Sequence, residues 1–314
     1  MEKKLKIIYM CGGTTYTITP LKKLINSQHN VACVYIKQPK PSGRGRKLKE
    51  SPLLEFVKEL DFVYRTPLNF KEASEISFLK EINADFFVVF SYGIILPKEV
   101  LKIPKYGCIN IHASLLPKWR GPSPVQYSLI NNEQKTGFSF MKMDEGIDTG
   151  DILFKKEINI NNDDNTISLL NKISELSGNY LVRILEDYSC KRIPLIKQDE
   201  SEATYSFKIK KKSTFILFNE EAKAILGKIK AYYPNPTAKC IIKGEVLKIL
   251  EAKVEEEEKV HRNFGITIDN KLLIACKKGS IRLTRIQRQG KKALSTEEVL
   301  NGWKIEKGTK LHVQ

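Results

Sequence analysis

The sequence has no run of eighteen apolar residues, which excludes a membrane-spanning helix. It has no C-x-x-C pair, because its six cysteines stand singly at Cys11, Cys33, Cys108, Cys190, Cys240 and Cys276. In a chain of 314 residues that scatter speaks against a disulfide framework or a zinc site and for reduced thiols in a cytoplasmic protein. Four histidines leave little room for a histidine-rich metal site. The Walker order G-x-x-x-x-G-K-[ST] is missing, and the opening Gly12-Gly13 is not G-x-G-x-x-G, so neither ATP nor a nicotinamide is assigned. The apolar stretch after MEKK is too short for a signal-peptide core and reads as a first strand. No internal repeat is present, and the one low-complexity piece, Glu255–Glu258, reads as a solvated loop.

What is there is charge and a core. Apolar residues make up 41% of the chain, which rules out wholesale disorder. The length favours two domains over one. Lys+Arg number 53 against 36 Asp+Glu, a formal charge of +17, and residues 201–314 hold +11 of it. A polyanion such as nucleic acid is the natural partner of that excess, and a merely soluble basic protein is the alternative.

The order of elements predicts fold class. Leu5–Met10 and Val31–Ile36 have strand length, and Asp85 opens FFVVFS, a continuous apolar run suited to a central parallel strand buried on both faces. Helical patterns lie at Leu21–Ile25, Ser51–Leu60, Phe70–Glu81 and Gly121–Ile130. Cys108–His112, Thr136–Met143 and Leu153–Ile158 read as strands, and Asn165–Tyr188 as the longest helix. Strands alternating with helices predict an α/β, doubly wound, mostly parallel sheet. Ser189–Tyr205 is polar and reads as a connector. Beyond it come a helix at Glu220–Ala231 and short runs at Lys239–Ile242, Glu245–Leu250, Gly265–Ile268, Leu272–Cys276 and Ser280–Ile286. These predict a small C-terminal antiparallel β-barrel, OB-like in kind. The expected division is 1–189, a linker at 190–207, and 208–314.

Alternation on a strand puts Asn110 and His112 on one face, at the carboxyl end where ligands collect in open α/β sheets. An amide can donate to an oxygen that turns negative, and an imidazole can move a proton at neutral pH. The bland reading is a histidine that caps the strand. Asp144, Glu145, Asp148 and Asp151, with Gly146 and Gly150, form a tight acidic loop after a strand. It offers a carboxylate to orient an imidazole or is ordinary turn chemistry; the spacing is not that of an EF-hand. The loop KPSGRGRK, with Arg44, Arg46 and Lys47, either grips phosphate or is solvated surface. The same choice holds for Arg282, Arg285, Arg288, Lys291 and Lys292 in the C-terminal part, which lacks a stacking-aromatic pattern.

The run GCINIHASLLPKWRGPSPVQYSLINNEQKTGFSFMKMDEGIDTGDIL closely resembles the methionyl-tRNA formyltransferases, and the likeness extends over about residues 3–310. The resemblance implies an active site of Asn110, His112 and Asp148. It implies a folate site at Phe90, Tyr92, Gly93, Ile95, Leu96, Ser114, Leu115, Leu116, Pro117 and Asp144. It gives Tyr16, the Arg44–Lys47 loop and the Arg282–Lys292 segment to the tRNA acceptor. The implied reaction moves the formyl group of 10-formyltetrahydrofolate to the α-amine of initiator methionyl-tRNA, without a metal, in a cytoplasmic monomer that binds neither DNA nor membrane. Sugar-nucleotide formyltransferases share the trio, and a non-catalytic RNA-binding module is the alternative of another class. The chain departs from the pattern in its first loop, YMCGGTTYT, which lacks a proline, and at Tyr233-Pro234-Asn235-Pro236, which lacks a tryptophan.

Overall fold

The structure is a computed structural model and describes residues 4–38, 41–42, 47–48 and 50–312. It forms two compact units. The first comprises Met1–Pro122, Thr136–Ile158 and Leu170–Ser206, and the second Ser123–Lys135, Asn159–Leu169 and Phe207–Gln314. Neither unit is continuous in sequence. Ser123–Lys135 and Asn159–Leu169 join the C-terminal part in the second unit, where helix Pro124–Ile130 packs on helix Ala222–Tyr232. Gly227 permits that approach: a Cβ there would stand 2.5 Å from the Leu129 carbonyl oxygen.

The first unit is built on β1 (Lys6–Cys11), β2 (Asn30–Ile36), β3 (Pro41–Ser42), β4 (Lys47–Leu48), β5 (Tyr64–Arg65), β6 (Phe86–Phe90), β7 (Cys108–His112), β8 (Lys135–Lys142) and β9 (Ile152–Asn159). Seven of these form one sheet in the order β5-β2-β1-β6-β7-β8-β9. Pairing is parallel from β5 through β7, and β8 runs antiparallel to β7. The expected doubly wound, mostly parallel layer is thus the fold. Every residue of β6 is buried, as a strand covered on both faces requires. Sequence order runs outward from β1 on one side and from β6 on the other, so the switch point lies between their carboxyl ends. The loops leaving those two strands meet closely there. A Cβ on Gly12 would lie 2.3 Å from the Ser91 carbonyl oxygen, so only glycine fits.

The second unit holds β10 (Ala238–Ile242), β11 (Glu245–Val260), β12 (Leu273–Ala275), β13 (Lys278–Arg288), β14 (Ala293–Ser295) and β15 (Leu311–His312). Their sheet runs β12-β13-β11-β10-β15, with β14 beside β13. Gly265–Ile268, expected as a strand, is instead a segment of isolated bridges, Ile266 to Lys310 and Thr267 to Ile274. Those bridges join the two edges of the sheet and close the ring. β11 is sixteen residues long and takes in the acidic run expected to be a loop. The run stays in the strand because its charges are met outside the core. Glu255 pairs with Ser280 in the ladder and its carboxylate accepts from Arg282 at 3.0 Å, while Glu257 and Glu258 pair with Lys223 and Lys278.

Candidate functional site

β7 carries the site because the sheet buries one face of it and ends it at the rim. Ile109 and Ile111 go into the core, and Asn110 and His112 share the other face. His112 stands opposite Ser139 of β8 in the register. The Ser139 hydroxyl donates to the Ser114 carbonyl at 2.7 Å and accepts from the Leu116 amide at 3.0 Å, so the neighbouring strand shapes the turn that follows the histidine. Lys155 of β9 adds a bond to the Leu116 carbonyl at 3.0 Å.

The three residues of the expected active site come together. The Asp148 carboxylate accepts from the Gly121 amide at 2.8 Å and from the Asn110 side-chain amide at 3.3 Å, and it lies 3.5 Å from Nδ1 of His112. The other ring nitrogen, Nε2, lies 3.0 Å from the Trp119 carbonyl oxygen. A carbonyl only accepts, so Nε2–H donates to Trp119, and Nδ1 faces a second acceptor, the Asp148 carboxylate. A proton arriving at Nδ1 meets the carboxylate at once. Asp148 has a positive φ of 54°, a conformation uncommon outside glycine that aspartate adopts more readily than most residues.

The loops assigned to the folate are neighbours. Lys98, just after the Ser91–Pro97 segment, pairs with Glu145 of the acidic loop at 2.6 Å, and Met143 packs against the cluster that contains Tyr92 and Leu96. Two large apolar side chains are left in the open on these loops, Ile95 at 90% exposure and Ile147 at 73%. Asp144 is exposed and accepts from the Gly146 amide at 3.0 Å and the Thr149 hydroxyl at 2.7 Å, which folds the acidic turn. It also lines a cleft of about 350 Å³ with Lys98, Lys102, Lys105 and Lys142. Gly93 is exposed with φ 66°, and Leu115 and Pro117 are half-buried. The side chains of Phe90, Tyr92, Leu96, Ser114 and Leu116 are buried in packing contacts. Tyr16 sets its ring edge-on to Phe90, with centroids 5.7 Å apart.

Of the residues expected at a tRNA surface, Arg44 and Arg46 lie outside the described residues, and Lys47 is described only as backbone of β4. The three arginines of β13 are engaged with carboxylates: Arg282 with Glu255 and Asp269, Arg285 with Glu251, and Arg288 with Glu245. Arg288 also lies over the Trp303 ring at 4.4 Å. Lys291 and Lys292, on the turn after β13, are exposed.

These pairs set an acid dependence. The guanidinium of Arg288 holds the Glu245 carboxyl below its usual range, and Arg282 does the same for Glu255. A carboxyl lowered by folding stabilises the folded chain above its unfolded pKa, near 4.3, and that contribution is lost as pH falls through the folded value. Melting temperature is expected to fall from about pH 4.5 downward. Arg282→Ala should melt lower at pH 7 and show a flatter acid limb; an unchanged limb would count against the Glu255 pair as its source.

Sequence reasoning missed the supports of the site. Arg120 is entirely buried; its Nε donates to Gln198 at 3.0 Å, and its other nitrogens grip Glu200 at 2.7 and 2.8 Å. Thr204 accepts from the Trp119 amide at 2.9 Å. All three partners sit in the stretch read as a featureless connector, where polar residues carry no periodic signal. Among the described residues no group of three or more His, Cys, Asp or Glu stands as a metal site, and no helix is long and apolar enough to cross a membrane.

Residues 5–185 match the formyl transferase family and residues 208–304 match the formyl transferase C-terminal domain. The chain is 38% identical to a methionyl-tRNA formyltransferase of Pelagibacter ubique over 309 residues, 98% of each chain. It is 36% identical to one of Alkaliphilus metalliredigens with the same coverage. Among solved structures it resembles WlaRD, a sugar 3N-formyl transferase in the presence of dTDP and 5-N-formyl-THF. That likeness has a TM-score of 0.66 at 20% identity and covers 92% of this chain and 100% of the other. With both family domains matched in order and relatives aligned end to end, the chain belongs to the formyl transferase family.

Proposed function

We propose that this protein transfers the formyl group of 10-formyltetrahydrofolate to the α-amino group of initiator methionyl-tRNA. The observation that carries the reading is the convergence of Asn110, His112 and Asp148 at the rim of the sheet, in a chain alignable over nearly its whole length with methionyl-tRNA formyltransferases. The exposed Ile95 and Ile147 on two loops tied by the Lys98–Glu145 pair suit a flat, partly apolar ring, which is what a folate offers.

A bound 10-formyl folate supplies a formyl carbon already activated toward an amine. The chain supplies the rest. The second N–H of the Asn110 amide and the Nε2–H of His112 donate to the formyl oxygen as it gains negative charge, the histidine exchanging the Trp119 carbonyl for it. The attacking amine gives up a proton to the imidazole, Asp148 beside Nδ1 fixes the ring and stabilises the imidazolium so formed, and that proton passes to the folate nitrogen as its bond to the formyl carbon breaks. Exposed Lys291 and Lys292, with Arg44, Arg46 and Lys47, serve the tRNA phosphates. The arginines of β13 contribute there only beyond their pairing with β11. All six cysteines are free thiols and five are buried, which supports a reducing, cytoplasmic setting.

The test offers the purified protein charged initiator tRNA, charged elongator tRNA and an amino sugar nucleotide side by side. Formylation of the initiator tRNA is expected, and preference for the sugar nucleotide would overturn the reading. Affinity for tRNA should fall linearly in log–log form with salt, by a slope of about 0.7–0.9 per phosphate contact. Affinity flat in salt would count against the electrostatic surface.

A further inference from the structure

We infer that Gln198 is a positioning residue for the reaction: its side-chain amide staples the loop that presents Asp148 to His112. The inference rests on the proposed roles of those two residues. Nε2 of Gln198 donates to the carbonyl oxygens of both Asp148, at 2.8 Å, and Gly150, at 2.7 Å. One NH₂ group thus spends its two hydrogens on two carbonyls of the same tight turn. The turn needs such a restraint, because Asp148 sits at φ 54° and its carboxylate must meet Gly121, Asn110 and His112 together. Aspartate enters the left-handed region more readily than most residues, but that region is narrow, and the paired bonds from Gln198 hold the turn in it.

The direction of the Gln198 amide is settled by its other end. Its oxygen accepts from Nε of Arg120, so oxygen and nitrogen cannot exchange places without setting two donors face to face. Arg120 in turn cannot move. It is fully buried, its remaining nitrogens bind Glu200, and its backbone is laddered to the connector, its amide donating to the Thr204 carbonyl at 2.9 Å and its carbonyl accepting from the Ser206 amide at 2.7 Å. The same ladder holds Trp119, whose carbonyl meets Nε2 of His112, and Gly121, whose amide meets Asp148. Residues 198–206 therefore set both partners of the histidine–aspartate pair, and from this segment the Gln198 side chain grips the Asp148 turn itself.

The test uses the full-length protein in the formyl-transfer assay with charged initiator tRNA. Gln198→Leu and Gln198→Glu should each lower kcat about 10–100-fold, the scale of a misplacement near 1 Å. KM for both substrates should stay within about threefold. Gln198→Glu keeps an oxygen toward Arg120 while setting an acceptor against two carbonyls, so it serves if the leucine variant fails to fold. The decisive reading is a double-mutant cycle with Asp148→Ala. Once the carboxylate is gone, changing Gln198 should cost less than about twofold more. A fully additive loss, or a Gln198→Glu enzyme within about twofold of wild type, overturns the positioning role. His112→Ala in the same assay separates the two layers of the claim. If it turns over like wild type, the reading of the site itself has failed; if it is crippled while the Gln198 variants are not, only the positioning role falls.

Discussion

Replacing His112 by alanine is expected to cut formyl transfer by roughly 10²–10⁴-fold, the usual worth of a positioned acid–base group. The ring is buried, and both of its nitrogens already have acceptors, Asp148 on one side and the Trp119 carbonyl on the other. Alanine removes the group that takes up developing charge and leaves the carboxylate of Asp148 with its Gly121 and Asn110 partners. The loss should therefore appear in kcat, with KM for tRNA nearly unchanged, because no tRNA contact is assigned to the ring. Single-turnover transfer with enzyme in excess isolates the chemical step. Transfer at the wild-type rate would remove the histidine from the mechanism.

Gly121→Ala should do nearly as much from a residue with no side chain at all. Gly121 holds φ 110°, and a Cβ there would stand 2.3 Å from the Ser206 carbonyl oxygen. The variant must open the ladder between residues 119–121 and the connector, at a cost of about 2–4 kcal/mol for the strained backbone and the overpacking together. Opening it moves the amide that donates to Asp148 and the Trp119 carbonyl that meets His112. A lower melting temperature and a kcat reduced on the order of 10²-fold are expected together. A melting temperature equal to wild type would show that the ladder yields without cost; a lower one with full kcat would show that the His112–Asp148 geometry does not depend on it.

Much of the fold was legible because burial writes itself into periodicity. FFVVF fits a strand covered on both faces, as β6 is, and the CINIH alternation puts the amide and the imidazole on one face. The spacing of Leu169, Ile173, Leu181 and Leu185 predicts a long helix over Asn165–Tyr188, and the helix runs Thr166–Ser189. The acidic run of β11 reads as a loop from local sequence because its cross-strand partners, Ser280 and Arg282, are remote in the chain. Gly265–Ile268 failed as a strand for a related reason: its backbone bonds are divided between β12 and the residues before β15, so no continuous ladder forms.

The amino-acid sequence alone determined which chemistry is present: an amide and an imidazole two residues apart, an acidic turn further on, and a basic C-terminal third. Only tertiary structure decided that Asp148 reaches His112, and that Arg120, Gln198 and Thr204 hold both in place. Residue types and short-range spacing are local properties, and a chain displays them directly. Hydrogen bonds between positions fifty to eighty residues apart leave no periodic trace, because they exist only once the sheet has brought their donors and acceptors within reach.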